Sequence, residues 1–334
     1  MDSYGAFVSK KGDRIVVKRA GEKLVEVPAG NVDLIRLSSR GVSASMDLIK
    51  LALKYGIPLV VTSKSGRPLG VFMPFEFRGL VKVRRAQYEA ADKPLGVEVA
   101  KEVVRAKLAE QARVLERAAR TWKRLGDLRD EVMGAASTIR GFSEEASRVS
   151  FDACERARGV LMSIEARAAQ VYWDAFSLLL PRELGFPGRV KRGAEDVVNC
   201  MLNYGYSILS TEVWLSILRA GLDPWAGFLH ADSQRRPALV YDLMEPFRAP
   251  VVDRAVLSLV AKKGSKLAGL LGDGMLTGEG KSAVVEAVVE RLNLQVRVTG
   301  RRLTVSGLIL LVARRLVARL VGSAPKFRVP QVTL

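Results

Sequence analysis

An α+β fold is expected, with a small β-rich N-terminal domain over residues 1–76 followed by a larger all-α domain over residues 77–334. Three observations predict it. The first 75 or so residues fall into short apolar runs with strand alternation, separated by Gly and Pro. Beyond Pro74, long stretches rich in Ala, Leu, Val, Arg and Glu carry helical periodicity with few breakers. A length of 334 residues suits two domains, each able to bury its own core.

Taken in order, residues 14–18 (RIVVK), 23–27 (KLVEV) and 32–37 (VDLIRL) read as strands, punctuated at Gly12–Asp13, Gly21–Glu22 and residues 28–30. Residues 46–55 (MDLIKLALKY) place Met46, Ile49 and Leu53 at helical spacing before Gly56 stops the helix. Residues 58–62 (PLVVT) form another strand, and Ser65, Gly66 and Pro68 make a turn. The domain boundary is expected near residues 74–80. Long helices follow over residues 97–125 and 151–180, and Pro181, Pro187, Pro224, Pro237, Pro246 and Pro250 mark helix ends and starts. Residues 264–280 read as a mobile glycine-rich connection. A short hairpin over residues 292–298 and 302–305 precedes a last helix, residues 307–321.

Composition narrows the partners. Lys and Arg number 53 against 35 Asp and Glu, a formal charge of +18. Beyond Glu290 there is no acidic residue but nine basic ones, among them Arg301, Arg302, Arg314 and Arg315. Such a surface suits a polyanion, because each neutralised phosphate releases condensed counterions. A solvated basic face without a ligand is the plainer alternative. The apolar run 303–313 is interrupted by Thr304, Ser306 and Gly307 and is about half a membrane span. Residues 1–7 (MDSYGAF) show no secretory leader pattern, so a cytoplasmic protein without membrane contact is expected. Cys154 and Cys200 are too far apart for a CxxC motif and read as a buried thiol pair. Gly280–Lys281–Ser282 and Gly272–Asp273–Gly274 imitate nucleotide loops, but Met275 and Thr277 occupy positions that require glycine.

Chemistry concentrates around the one histidine, His230, in residues 221–230 (GLDPWAGFLH), where Asp223 can cap a helix begun by Pro224. Residues 241–248 (YDLMEPFR) follow, and Asp242 and Glu245, three apart on a helix, project from one face. A lone histidine is more often a packed or surface residue. Carboxylates gathered beside it in so basic a chain would attract a divalent cation, which in turn recruits phosphate. Glu165 lies in an apolar helix beside Ile164, Ala168 and Ala169; a salt bridge to Arg167 or to another helix is its ordinary role. Spacing does not choose it over Glu155 or Glu183.

The ordered motifs resemble a known family. Glu165 with Tyr172, Trp173 and Phe176, then Asp196, Asn199 and residues 202–206 (LNYGY), then GLDP and GFLH, then residues 242–248 with Asp253 following, are similar to the CRISPR-associated adaptation integrases, the first universal CRISPR-associated family ("Cas one"). Val197 departs from the proline common there. The resemblance implies that Glu165, His230 and Glu245 are catalytic and ligate Mg²⁺ or Mn²⁺, with Asp242 as auxiliary ligand or water-holder and Arg248 as a phosphate contact. It implies a homodimer joined through the N-terminal domains, bridged by a second adaptation protein ("Cas two"). The reaction implied is spacer insertion into double-stranded CRISPR repeat DNA by 3′-OH transesterification. A metal-dependent nuclease on branched or flapped DNA and a non-catalytic basic DNA scaffold are the alternatives. Tyr204 and Tyr206 reach DNA or pack between helices, and Arg301, Arg302, Arg314 and Arg315 are the candidate DNA contacts.

Overall fold

The computed structural model describes all residues except 1–4, 33, 38–40, 64–67, 74–79, 123–125, 234–235, 299 and 333–334. The expected turn at Ser65 and Gly66, the Leu125 end of the first long helix and most of the expected boundary segment lie outside the described residues. The chain divides into two compact units, Met1–Arg78 and Gly79–Leu334. Strands dominate the first and helices the second.

The N-terminal unit comprises β1 (Ala6–Lys11), β2 (Arg14–Arg19), β3 (Glu22–Pro28), β4 (Ile35–Leu37), β5 (Ser43–Ala44), α1 (Met46–Lys54), β6 (Leu59–Thr62) and β7 (Pro68–Phe72). One sheet has the order β3-β2-β1-β5 and the other β4-β6-β7. The β2–β3 turn takes positive φ at Ala20 (+49°) and Gly21 (+85°), the backbone twist that a tight antiparallel hairpin demands. Strand alternation sends Ala6, Val8, Ile15 and Val17 into a core shared with Ile35, Ile57 and Leu59. Ser45 caps α1 by accepting from the Leu48 N–H at 3.1 Å. The helix buries Leu48, Leu51 and Ala52, while Met46 is 64% exposed. The apolar face is therefore one step round from the expected Met46–Ile49–Leu53 stripe, because the cap sets where the first turn meets the sheet.

The second unit comprises α2 (Leu80–Ala91), α3 (Pro94–Thr121), α4 (Leu128–Arg148), α5 (Cys154–Leu178), α6 (Val197–Arg219), α7 (Ala238–Phe247) and α8 (Arg254–Lys263), then β8 (Leu271–Gly272), β9 (Met275–Leu276), α9 (Gly278–Asn293), β10 (Gln295–Val298), β11 (Arg301–Thr304) and α10 (Val305–Leu320). The β10–β11 hairpin and the final helix fall where expected. Helix α6 is buried on nearly every side, from Val198 and Met201 to Leu215 and Ile217. Asp196 starts it, accepting from the Asn199 N–H at 2.8 Å, so a cap does what a first-turn proline does elsewhere. Cys154 and Cys200 are both free. Cys154 is buried and its thiol is pushed up to about 11 by that burial, whereas Cys200 is half-buried.

Three expectations change here. Pro246 lies inside α7, and Pro250 lies in a π-helical segment, Arg248–Asp253, that joins α7 to α8 without a break. The wider π turn absorbs the amide hydrogens that two prolines cannot supply. Residues 264–280 are a 3-10 segment (Gly264–Leu270), the two-residue β8–β9 hairpin and the first turn of α9, capped by Thr277 through the Gly280 N–H. Residues 221–230 contain no helix: Asp223 Oδ1 accepts from the Trp225 N–H at 2.8 Å, a local turn that competes with helix initiation.

Candidate metal centre

The loop bearing His230 is held on several sides. Gln87 of α2, 1% exposed, donates to the carbonyls of Asp223 (2.9 Å) and Ala226 (2.8 Å) and accepts from the Asp223 N–H. Asp232 takes the Gly227 N–H, and Arg158 of α5 donates to the Phe228 carbonyl at 3.0 Å. Gly227 is required on packing grounds: a Cβ there would sit 2.6 Å from the Ala238 Cβ and 2.8 Å from the His230 carbonyl oxygen. Backbone amides that have no helix to join are thus paired with side chains.

Asp242, fully buried on α7, is the centre of this anchoring. Its Oδ2 accepts from the N–H groups of Phe228 (2.6 Å) and Leu229 (3.0 Å), and its Oδ1 from the His230 N–H (2.9 Å). The same Oδ1 lies 2.7 Å from His230 Nδ1, which assigns the ring proton to Nδ1 and leaves Nε2 with its lone pair. Burial works against a charged His230 ring, but the Asp242 hydrogen bond and charge outweigh it and the imidazole pKa is raised. Asp242→Ala should unpair three buried N–H groups at about 1–3 kcal/mol each and lower the thermal midpoint sharply. Thermal denaturation checks this, with Asp242→Asn falling between the two.

Glu165 on α5 and Glu245 on α7 converge on one cation, Lys107 of α3. Lys107 Nζ donates to Glu165 Oε1 at 2.5 Å and lies 2.6 Å from Glu245 Oε2. The Glu245 contact is a buried ion pair at hydrogen-bonding distance, so one ammonium meets both carboxylates. Burial disfavours the Lys107 ammonium, yet the charges of Glu245 and Glu165 outweigh burial and raise its pKa. Glu245 is held well below the ordinary carboxylate range: against the cost of burial stand Arg248, Lys107 and His230. Among the described residues no three His, Cys, Asp or Glu side chains stand close enough to form a metal cage unaided.

Of the residues singled out from the sequence, Glu165 and Glu245 meet at Lys107, and His230 and Asp242 form the adjoining pair. Glu155 and Glu183, which spacing left open, are exposed. Glu165 pairs with α3, while Arg167 pairs with Glu145. Arg248 donates to Glu245 Oε1 at 2.8 Å, and its guanidinium lies 4.6 Å from the centre of the Tyr206 ring. Tyr206 and Tyr172 are buried and donate to the two oxygens of Asp253, at 2.5 and 2.7 Å, which settles Tyr206 as a packing residue. Tyr204 is likewise buried. Arg301 and Arg302 are exposed on β11, Arg314 is exposed on α10 and Arg315 is half-buried there. No hydrogen bond or ion pair among the described residues ties these four to the carboxylates.

Lys107 is the residue that the sequence reading missed. Its signal was present: one lysine in the otherwise apolar stripe of Ala100, Val103, Val104 and Leu108. A buried ammonium in such a stripe requires carboxylate partners from other helices.

A β-rich unit followed by a helical unit, with buried Glu245 and Lys107 beside half-buried Glu165 and His230 from separate elements, defines an α+β protein with a charged centre in its helical unit. The family profile described as CRISPR associated protein Cas1 matches residues 1–290, and the chain belongs to that family. It is 36% identical over 332 residues to the CRISPR-associated endonuclease Cas1 1 of Archaeoglobus fulgidus, covering 96% of each chain. It is 40% identical over 250 residues to the CRISPR-associated endonuclease Cas1 1 of Pyrobaculum aerophilum, covering 75% of this chain and 77% of that one. Among solved structures it is similar to a casposase bound to integration product, with TM-score 0.78 and 25% identity over 98% of this chain and 91% of that one. A Cas1 protein from Thermotoga maritima shares the fold, with TM-score 0.76 and 22% identity over 99% of each chain.

Proposed function

We propose that this chain is a divalent-metal-dependent DNA integrase of CRISPR adaptation, joining the 3′-hydroxyl of a new spacer to repeat DNA by transesterification. The observation that carries the reading is the convergence of Glu165 and Glu245 on one cation beside an imidazole oriented by Asp242. The Cas1 endonuclease relatives and the casposase bound to integration product support the choice of reaction. Double-stranded DNA, a second copy of this chain and the second adaptation protein are the proposed partners; a solved Cas6-RT-Cas1–Cas2 complex shares the fold, with TM-score 0.74 and 18% identity over 100% of this chain and 36% of that one. No described helix is long and apolar enough to cross a membrane.

By residue type the donors suit Mg²⁺ or Mn²⁺, although as placed here no three of them stand close enough together to hold the ion. Two carboxylates already share one cationic atom, Lys107 Nζ, and one imidazole favours Mn²⁺ over Mg²⁺. Glu165, Glu245 and His230 Nε2 would hold the ion, with Lys107 releasing the two carboxylate oxygens that it now joins. When bound, such an ion polarises the scissile phosphodiester and stabilises the departing 3′-oxygen. Asp242 keeps the imidazole in the ligating tautomer, the part usually played by a carboxylate behind a metal-bound histidine. Arg248 keeps Glu245 ionised and oriented, and its guanidinium is proposed as a phosphate contact. Arg301, Arg302, Arg314 and Arg315 supply further positive surface for the duplex.

The test is metal titration of strand transfer with labelled donor and repeat DNA: activity that survives EDTA overturns the reading. The pH profile adds a second check. Only the neutral imidazole ligates, and Asp242 raises the His230 pKa above its ordinary value of about 6.5. Activity should therefore fall as pH drops through and below the neutral range, and excess Mn²⁺ should move that limb to lower pH. Stability of the metal-free protein runs the other way, since a raised folded-state pKa contributes stability at low pH that is lost as pH rises through it.

A further inference from the structure

Glu245 has a cation on each of its oxygens. Its Oε1 accepts from Arg248 at 2.8 Å and its Oε2 lies 2.6 Å from Lys107 Nζ. Lys107 Nζ is also 2.5 Å from Glu165 Oε1, so these two carboxylate oxygens are no more than about 5 Å apart, with the ammonium between them. Mg²⁺ bonds carboxylate oxygen at about 2.0–2.1 Å, closer than the ammonium stands. An ion drawn to both oxygens therefore competes with Nζ for the same place.

Of the two cations on Glu245, Lys107 is the one able to yield. Arg248 sits three residues along the same continuous α7–π–α8 rod, and its planar guanidinium packs 4.6 Å from the centre of the Tyr206 ring. Lys107 arrives from α3 on a flexible four-carbon stem. Among the described residues the two carboxylates are its only hydrogen-bond or ion-pair partners. The centre is also more open on one side: the Glu165 and His230 side chains are 20% and 31% exposed, against 5% for Glu245 and 0% for Asp242.

Charge decides when Lys107 yields. Glu165, Glu245 and Asp242 are negative, Lys107 and Arg248 are positive, and a ligating imidazole is neutral. Asp253 and Arg189, both beside Tyr206, add one charge of each sign. The centre thus carries a single negative charge in excess. A divalent ion turns this into a single positive excess, which is costly where water is largely excluded. One phosphodiester cancels it. Without Lys107 the excess would be doubly negative, and a divalent ion would balance it unaided.

We propose that Lys107 is a resident counter-ion that ties metal loading to DNA: it leaves the two carboxylates as the ion is bound and passes to a backbone phosphate of the duplex. The assignment rests on the metal-dependent DNA reading above. It gives Lys107 a part in binding, beyond holding three helices together.

The experiment compares wild type with Lys107→Met. Mn²⁺ binding without DNA, read from the electron paramagnetic resonance of the free ion, should be at least about tenfold tighter in the variant. Coupling is reciprocal, so Mn²⁺ at matched ionic strength should tighten the anisotropy-measured affinity of wild type for a labelled duplex, and that of the variant by less. The variant should melt lower without metal and be raised further by Mn²⁺. A purely structural lysine would lower the midpoint without gaining affinity for Mn²⁺. If Lys107→Met fails to fold, wild type carries the test through lysine acylation read by mass spectrometry: Lys107 should be protected without Mn²⁺ and modified with it. Equal or weaker Mn²⁺ binding in a folded variant, or acylation that ignores Mn²⁺, overturns the proposal. The metal reading still stands if wild type binds Mn²⁺ and Glu165→Ala does not. If neither wild type nor Lys107→Met binds Mn²⁺, with or without DNA, both readings fall. Sulfate that tightens Mn²⁺ binding in wild type as much as duplex does would make the required anion a free one and overturn the tie to DNA.

Discussion

Glu165→Ala is expected to cut strand transfer by about three orders of magnitude or more while the protein stays folded and still binds DNA. Glu165 supplies one of two carboxylates that meet at a single cation, and no other described carboxylate pairs with Lys107 from α5. Its removal leaves Lys107 still paired with Glu245, which it then shares with Arg248. Glu245 is different. It is buried and pairs with both Lys107 and Arg248; Glu245→Ala leaves Lys107 with Glu165 but strands the Arg248 guanidinium, at a cost of about 3–5 kcal/mol. Glu245→Gln keeps the shape and separates loss of metal geometry from loss of fold. His230→Ala should lose activity as Glu165→Ala does, with the loop still held through the Asp242 contacts to the Phe228 and Leu229 N–H groups. Integration of labelled donor, read beside circular dichroism and DNA anisotropy, checks all three. Full activity in Glu165→Ala would sink the site assignment.

How much of this was readable beforehand depends on the length scale of each determinant. The apolar runs that become β2 and β3 and the Asp196 cap of α6 are local, and local patterns fix them, whereas β1 (Ala6–Lys11) is not among the strands that the sequence predicts. The motif order located Glu165, His230 and Glu245, but only the fold shows that Glu165 reaches across to α3 and that Glu155 does not. Asp223–Pro224 is a good helix start by chemistry. It fails here because Gln87, well over a hundred residues away, takes the backbone groups that a helix would have used. Pro246 and Pro250 are helix breakers in isolation, yet the π segment and the buried Asp253–tyrosine contacts carry the rod through. Lys107 stayed hidden for the same reason: its meaning lies in two carboxylates on other helices. Tertiary pairing decides each of these cases.

A donor ending in 2′,3′-dideoxynucleotides is expected to give no joined product with repeat-containing target, Mn²⁺ and the second adaptation protein, whereas an ordinary donor gives joined strands. Integration and hydrolysis need the same carboxylates, the same imidazole and in-line attack on the same phosphate, and they differ only in the attacking oxygen. A DNA 3′-OH held beside the centre gains high effective molarity over water, provided the chain grips both DNA segments at once. The proposed roles of Glu165, Glu245 and His230 as metal ligands and of Lys107 as their counter-ion assign none of them to nucleophilic attack, and on this reading the attacking oxygen comes from DNA or water. Blocking the donor terminus removes one of these and leaves the other untouched. Gel analysis of labelled donor and labelled target then separates the reactions, because joining lengthens a strand and hydrolysis only shortens one. If the blocked donor leaves the product pattern unchanged, water is the nucleophile and the protein acts as a nuclease on this DNA.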